Sequence, residues 1–244
     1  MTLEFLRIGL APHYVDYVDG WDRQRVLHEQ VLAGTAPDTV LLLEHAPVYT
    51  AGRRTEEHER PFDGTPVIPV DRGGKLTWHG PGQLVGYPIL RLPDPSRVAD
   101  YVETLEAALI SVLADYGIAG ERVAGRSGVW VRGATDRKIA AIGIRVDHGV
   151  TMHGFALNCS NDLAPYSQIV ACGIADAGTT TISAETGRTI TPTDLVARVE
   201  EELLRRRVRL VREHPVRVTD APVPEPTTPD PGATAAGRSK GALL

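Results

Sequence analysis

Two residues suited to nucleophilic or acid–base chemistry stand in distinctive local patterns, a cysteine in "IVACGI" and a lysine in "RKIAAIGIRV". Cys172 precedes Gly173 at the end of an apolar run. A glycine-bearing turn there would present the thiol to a pocket as a nucleophile, whereas a short buried strand would hold it as a small core side chain. Lys138 opens a run in which Lys138, Ala140, Ile142, Ile144 and Val146 share one face under strand alternation. Either it leans out to water as the first strand residue, or it is desolvated among those neighbours and acts as a base or a strong local field. Cys159, in step with Phe155 and Leu157, reads as a core residue. His79 and His153 are each followed by glycine, which lets backbone approach a ligand beside an imidazole; each also suits a purely structural place. Arg72 precedes Gly73 and Gly74 and fits either an anionic ligand group or a surface ion pair.

The stretch "RGGKLTWHGPGQLVGYPI", Arg72–Ile89, holds five glycines and invites a phosphate-binding reading. Its spacing refutes that. A P-loop requires Gly-Lys-Ser/Thr, but Gly74-Lys75 leads into Leu76, and Pro69 stands where the first glycine belongs. Gly80 and Gly82 match the start of a dinucleotide fingerprint, yet Val85 takes its third position. No metal site is expected either, since none of the eight histidines falls in an HExxH or a close His/Cys pair. A net charge of −5 argues against nucleic acid as the main partner. No apolar run reaches membrane-spanning length, and "MTLEFLRIGL" lacks a signal-peptide core. Two cysteines without a CxxC pair make no disulfide framework, so a cytoplasmic protein is expected.

These residues need a scaffold, and 244 residues with 42% hydrophobic content suffice for a sizeable core. "LEFLRIGL" reads as a strand, and a helix is expected from Pro12 towards Gly34. "DTVLLLEH", "TPVIPVD" and "QLVGYPIL" read as strands, with "AGRRTEEHERPFDG" an exposed loop. A helix from about Ser96 to Tyr116 carries the stripe Val102, Leu105, Leu109, Val112, Leu113 and Tyr116, and Gly117 closes it. "SGVWV", "RKIAAIGIRV" and "TMHGFALN" are joined by hairpin-length loops and must run antiparallel, because a parallel pair needs a crossover of about a dozen residues. The last helix lies in "TPTDLVARVEEELLRRRVRLV", capped by Thr191 or Thr193. The expected fold is α+β, a mixed and largely antiparallel sheet with flanking helices. Residues 1–214 form its single domain, and the Pro-, Ala- and Gly-rich residues 215–244 read as a disordered tail.

Taken in chain order, "LLLEHAPVYTAGRR", "RGGKLTWHGPGQLVGYPI", "RKIAAIGIRV", "HGFALNCSNDL" and "CGI" resemble the lipoyl(octanoyl) transferases over about residues 38 to 190. Ala171 departs from that pattern, which more usually has proline before the cysteine. The resemblance implies the fold of the biotin/lipoate ligase group and an octanoyl-acyl carrier protein:protein N-octanoyltransferase. Cys172 would take an octanoyl (or lipoyl) group from the phosphopantetheine thioester of acyl carrier protein, forming an acyl-cysteine thioester. The group would pass to a lysine of the lipoyl domains of 2-oxoacid dehydrogenase E2 subunits or of the glycine cleavage H protein, the first step of protein lipoylation. Lys138 would complete a Cys/Lys dyad, holding the thiolate and accepting a proton from the incoming amine.

By the same resemblance, Arg72, Gly73, Gly74, Lys75, Leu76, Thr77, Trp78 and His79 would line the acyl and pantetheine pocket, with His79 orienting or polarising the thioester carbonyl. Ala141, Ile142 and Gly143 with Gly154, Phe155 and Ala156 would supply the remaining wall. Each methylene buried there favours binding by about 0.8 kcal/mol. Thioester exchange is nearly isoenergetic, so no cofactor and no ATP are implied. Arg53, Arg54, Arg126 and Arg137 are candidates for a basic rim that meets acidic carrier proteins. The nearest alternative is an ATP-dependent lipoate or biotin-type protein ligase, which would not need Cys172. A catalytically silent acyl-binding scaffold is the other.

Overall fold

Apolar residues at a period of two build a mixed sheet, and amphipathic helices cover both of its faces. The computed structural model describes residues 3–62, 64–169 and 177–211. In chain order the first half contains β1 (Glu4–Gly9), α1 (Tyr17–Ala33), β2 (Thr39–Leu43), β3 (Val48–Ala51), β4 (Val67–Pro69), β5 (Leu76–His79) and β6 (Gln83–Ile89). The second half contains α2 (Val98–Ala114), β7 (Gly120–Val123), β8 (Arg126–Val131), β9 (Arg137–Asp147), β10 (Val150–Asn158), β11 (Gly178–Thr179), α3 (Ile182–Thr186), α4 (Pro192–Arg205) and α5 (Arg207–Leu210). The main sheet runs β1-β2-β6-β10-β9-β8-β7, with β11 added on β9. Only the β1–β2 and β9–β11 pairs are parallel within it. The expected mixed, largely antiparallel sheet is present, including the β8–β9–β10 meander. A second sheet, β4-β3-β5, was not anticipated in its two strands β3 and β5, nor was the edge strand β7 in the main sheet.

Alternation sorts the strands between two cores. Val40, Leu42, Leu84 and Leu157 face α2 and α4, where they meet Leu105, Leu109, Val112, Leu195 and Val199. Leu41, Leu43, Val85, Tyr87 and Ala156 face the other way, towards Val31 of α1. Helix α1 begins later than Pro12 because Asp16 caps it, its carboxylate accepting from Val18 N at 2.8 Å. For α4 the cap is Thr191, locked in a reciprocal box with Asp194.

One strand departs from alternation where it matters most. Residues paired across a ladder share a face. Trp130 pairs with Lys138 and Val129 with Ala140, so Ile139 is an extra residue on β9, a β-bulge. Ile139 and Ala140 both enter the α2-side core. This corrects the expectation that Lys138 shares a face with Ala140, Ile142, Ile144 and Val146: the bulge turns Lys138 to the opposite, α1-side face. Gly128 permits the irregularity. Its φ of +110° suits glycine alone, and a Cβ there would stand 2.3 Å from the Ala140 carbonyl oxygen.

Candidate functional site

The α1-side face encloses a cavity of about 210 Å³. Strand β9 lines it with Lys138, Ala141, Ile142 and Gly143, and β10 with His153, Gly154, Phe155 and Ala156. Tyr17 of α1 and Tyr87 of β6 border it, with Arg54, Gly125 of the β7–β8 turn, and Arg126 and Ser127 at the start of β8. The segment Arg72–His79 is divided by its own alternation. Arg72, Gly74, Lys75, Thr77 and His79 line the cavity. Leu76 and Trp78 point away, into an apolar cluster with Tyr49, Ala51 and Ile169. Gly73 lies outside the lining, its N–H donating to Ile144 O at 2.8 Å.

Arg72 is too deeply buried for a surface ion pair. Its guanidinium donates to the carbonyls of Gly73, Lys75 and Thr50 and to the Thr50 hydroxyl at 2.9–3.0 Å. It braces β3 against the turn leading into β5. Lys75 is held by Glu59 at 2.5 Å and Glu56 at 3.1 Å.

A neutral polar framework supports the cavity. The Gln83 side-chain amide donates to Asn158 Oδ1 at 2.9 Å, so its Oε1 accepts from His79 Nδ1 at 2.8 Å. His79 Nε2 is thereby left as an acceptor, and this ring has no N–H free to polarise a carbonyl. His45 Nδ1 donates to Val15 O at 2.9 Å, which fixes Nε2 as the acceptor of the Tyr87 hydroxyl at 2.6 Å. Burial lowers His79 to about 3 and His45 to about 4, and raises Tyr17 to about 12. At neutral pH all three are therefore uncharged. His153, with φ of +58°, is held through Nε2 by Asp71 at 2.8 Å, and burial lowers it in spite of that carboxylate. The bond from His153, with Arg145 behind it, depresses Asp71 to about 2.

Against this neutral background Lys138 is the cation of β9 at the cavity, its Nζ 4.7 Å from the centroid of the Trp130 ring. Arg54 and Arg126 reach the cavity among the suggested rim arginines; Arg137 instead pairs with Glu185 at 3.0 Å, and Arg53 is exposed. Cys159 is wholly buried, its thiol directed at Leu157 O and its pKa pushed up by burial, as a core thiol should be. Cys172, Ala171 and the tail 215–244 lie outside the described residues. The chain on either side of Cys172 is described. Ile169 packs beside Trp78, and Gly178 and Thr179 pair with Arg137 and Lys138. Among the described residues no group of three or more His, Cys, Asp or Glu could hold a metal ion, and no helix is long and apolar enough to cross a membrane.

Sequence reasoning missed Tyr17, His45, Tyr87 and Trp130. The available signal was Tyr87 itself, a hydroxyl inside the apolar run "QLVGYPIL" that had to find a buried partner.

The catalytic-domain profile described as lipoyl protein ligase A/B matches residues 16–204. An octanoyltransferase of Arthrobacter sp. (strain FB24) is 66% identical over 214 residues, covering 86% of this chain and 96% of that protein. One from Renibacterium salmoninarum is 64% identical over 215 residues, with 86% and 92% covered. Among solved structures, a bipartite lipoate protein ligase from Thermoplasma acidophilum superposes with a TM-score of 0.62 at 11% identity, covering 88% of this chain and 87% of that one. A lipoate-protein ligase A bound with ATP gives 0.60 at 11% identity, covering 88% and 89%. At such identities the likeness is one of fold.

Proposed function

This chain belongs to the lipoyl protein ligase A/B catalytic family, and from that premise we propose that it is an octanoyltransferase that works through an acyl-cysteine. Cys172 thiolate attacks the thioester carbonyl of octanoyl-acyl carrier protein. The bond to the pantetheine sulfur breaks, and the departing thiolate takes a proton from the Lys138 ammonium. The acceptor lysine amine then attacks the acyl-cysteine. A C–N bond forms, the C–S bond breaks, Cys172 returns as thiolate, and neutral Lys138 takes the amine proton. Atoms and charge balance without ATP, because one thioester is exchanged for another before the amide forms. The acceptor is a lipoyl domain, of the 2-oxoacid dehydrogenase or glycine cleavage H type, in the cytoplasm. No bound metal or cofactor is required.

The observation that carries this reading is the bulged β9, which sets one lysine against a cavity walled by Ala141, Gly143, Gly154 and Ala156. Small side chains on that wall suit a saturated acyl chain. Thr179, seven residues after Cys172, pairs with Lys138. Seven residues reach at most about 25 Å, and this short separation along the chain supports reading Cys172 and Lys138 as parts of one site.

The test is intact mass after incubation with octanoyl-acyl carrier protein and no ATP, for the wild type and Cys172→Ala. The expected result is one octanoyl adduct on the wild type alone, discharged by an apo lipoyl domain. Transfer that survives Cys172→Ala and demands ATP with free octanoate would establish the ligase reading instead.

A further inference from the structure

Lys138 does not project freely into the cavity. Its Nζ lies over the indole of Trp130, 4.7 Å from the ring centroid and within cation–π range. That indole is a fixed platform: it is 1% exposed, and its Nε1 donates to Arg126 O at 3.1 Å. Arg126 itself stands over the same ring at the longer distance of 5.9 Å. The backbone around the platform is fixed too. Gly128 N donates at 2.8 Å to the buried carboxyl group of Glu106, and a methyl at Gly128 would come 3.5 Å from Lys138 Cε. Trp130 and Lys138 are cross-strand partners at the bulge, so the irregularity that re-aims the lysine also brings it over the indole.

We propose that Trp130 is a positioning residue for Lys138, using the negative face of the indole to hold the ammonium at the cavity in the resting enzyme, poised for the first acyl-transfer step. The proposal rests on the reading of Lys138 as the proton-transfer group. A flexible side chain has many rotamers, and only a fraction of them put Nζ near the reacting sulfur. A quadrupole fixed by burial and one hydrogen bond narrows that distribution without placing an anion that would compete with the thiolate. The indole acts on the position of the lysine rather than on substrate affinity.

The experiment replaces Trp130 site-specifically with successively fluorinated tryptophans, which drain the π face at nearly constant shape, alongside Trp130→Phe and Trp130→Leu. The turnover number for lipoyl-domain octanoylation is expected to fall stepwise with fluorination, by about 2- to 30-fold over the series, with KM for the carrier within about 2-fold. Phe should retain most of the activity that Leu loses. A flat fluorination series, in protein whose thermal midpoint is unchanged, overturns the proposal even if Trp130→Leu fails to fold. Lys138→Met is measured in parallel. If it loses transfer while the series is flat, only the role of Trp130 fails; if it keeps transfer, the reading of Lys138 fails and this inference falls with it.

Discussion

On the α2 side of β9, Ile139, Ala140 and Ile142 meet a core of leucines and valines; on the α1 side, Lys138, Ala141 and Gly143 border a cavity. The same strand serves both, yet the two faces answer to different physics. The α2 face is set by volume and burial, so neighbouring apolar side chains share the load. The cavity face is set by one bulge, a few hydrogen bonds and neutral imidazoles, where single groups carry single tasks. Damage to the first should therefore appear as lost stability, and damage to the second as lost turnover.

The widest expected separation comes from pairing Lys138→Met with Leu109→Ala. Lys138→Met should lower turnover by about 10³-fold, in the range removed with a positioned proton-transfer group. Its unfolding free energy should stay within about 1 kcal/mol of the wild type, since the residue is half-buried and makes no salt bridge among the described residues. Leu109, 1% exposed beneath the sheet, should cost about 2–5 kcal/mol on truncation, while activity per folded molecule is retained. Urea unfolding and steady-state octanoylation on both variants check this. If the two variants lose stability and activity in the same proportion, the two faces are not separable.

That division also explains what the sequence made legible. The apolar stripes of α2 and α4 and the short loops between β8, β9 and β10 were readable because burial imposes a period and a short loop imposes antiparallel pairing. The bulge was not, because Ile139 and Ala140 are both apolar and either would fit the core. Lys138 could thus be singled out by type while its direction was assigned to the wrong face. Arg72 was equally opaque: a guanidinium that binds backbone carbonyls leaves no mark in the local pattern. Strands β3 and β5 are only four residues each, too short for alternation to stand out from turn-rich neighbours. The His79–Gln83 contact was within sight at four residues' spacing, but His45 and Tyr87 are joined only by the fold.

Acid should expose the neutral imidazoles on the cavity side. Both His45, at about 4, and His79, at about 3, lie below the ordinary histidine value of 6.5. The unfolded chain therefore binds protons that the folded chain refuses, and stability falls as pH drops below about 6.5. Each ring should contribute roughly 3 kcal/mol of loss between pH 6.5 and 4, with His45 levelling off first. Urea midpoints across that window should fall less steeply in His79→Gln than in the wild type, whatever its stability at pH 7. Equal slopes would mean that His79 is not held neutral in the folded protein.

The smallest effect belongs to the cavity mouth, where charge meets solvent. Arg54 and Arg126 both line the cavity, so they can meet a carrier as its pantetheine enters. They lie in contact with water, and Coulomb terms there are screened over about 10 Å at 0.1 M salt. Reversing both, as Arg54→Glu with Arg126→Glu, should raise KM for an acidic octanoyl-carrier about 10-fold at low salt, with little change in turnover. The same pair should converge on the wild type as salt rises, because the interaction is steering rather than a buried contact. A KM unchanged at low salt would remove these arginines from carrier recognition. A fall in turnover that salt does not relieve would instead place Arg126 with Trp130, as part of what holds Lys138 in position.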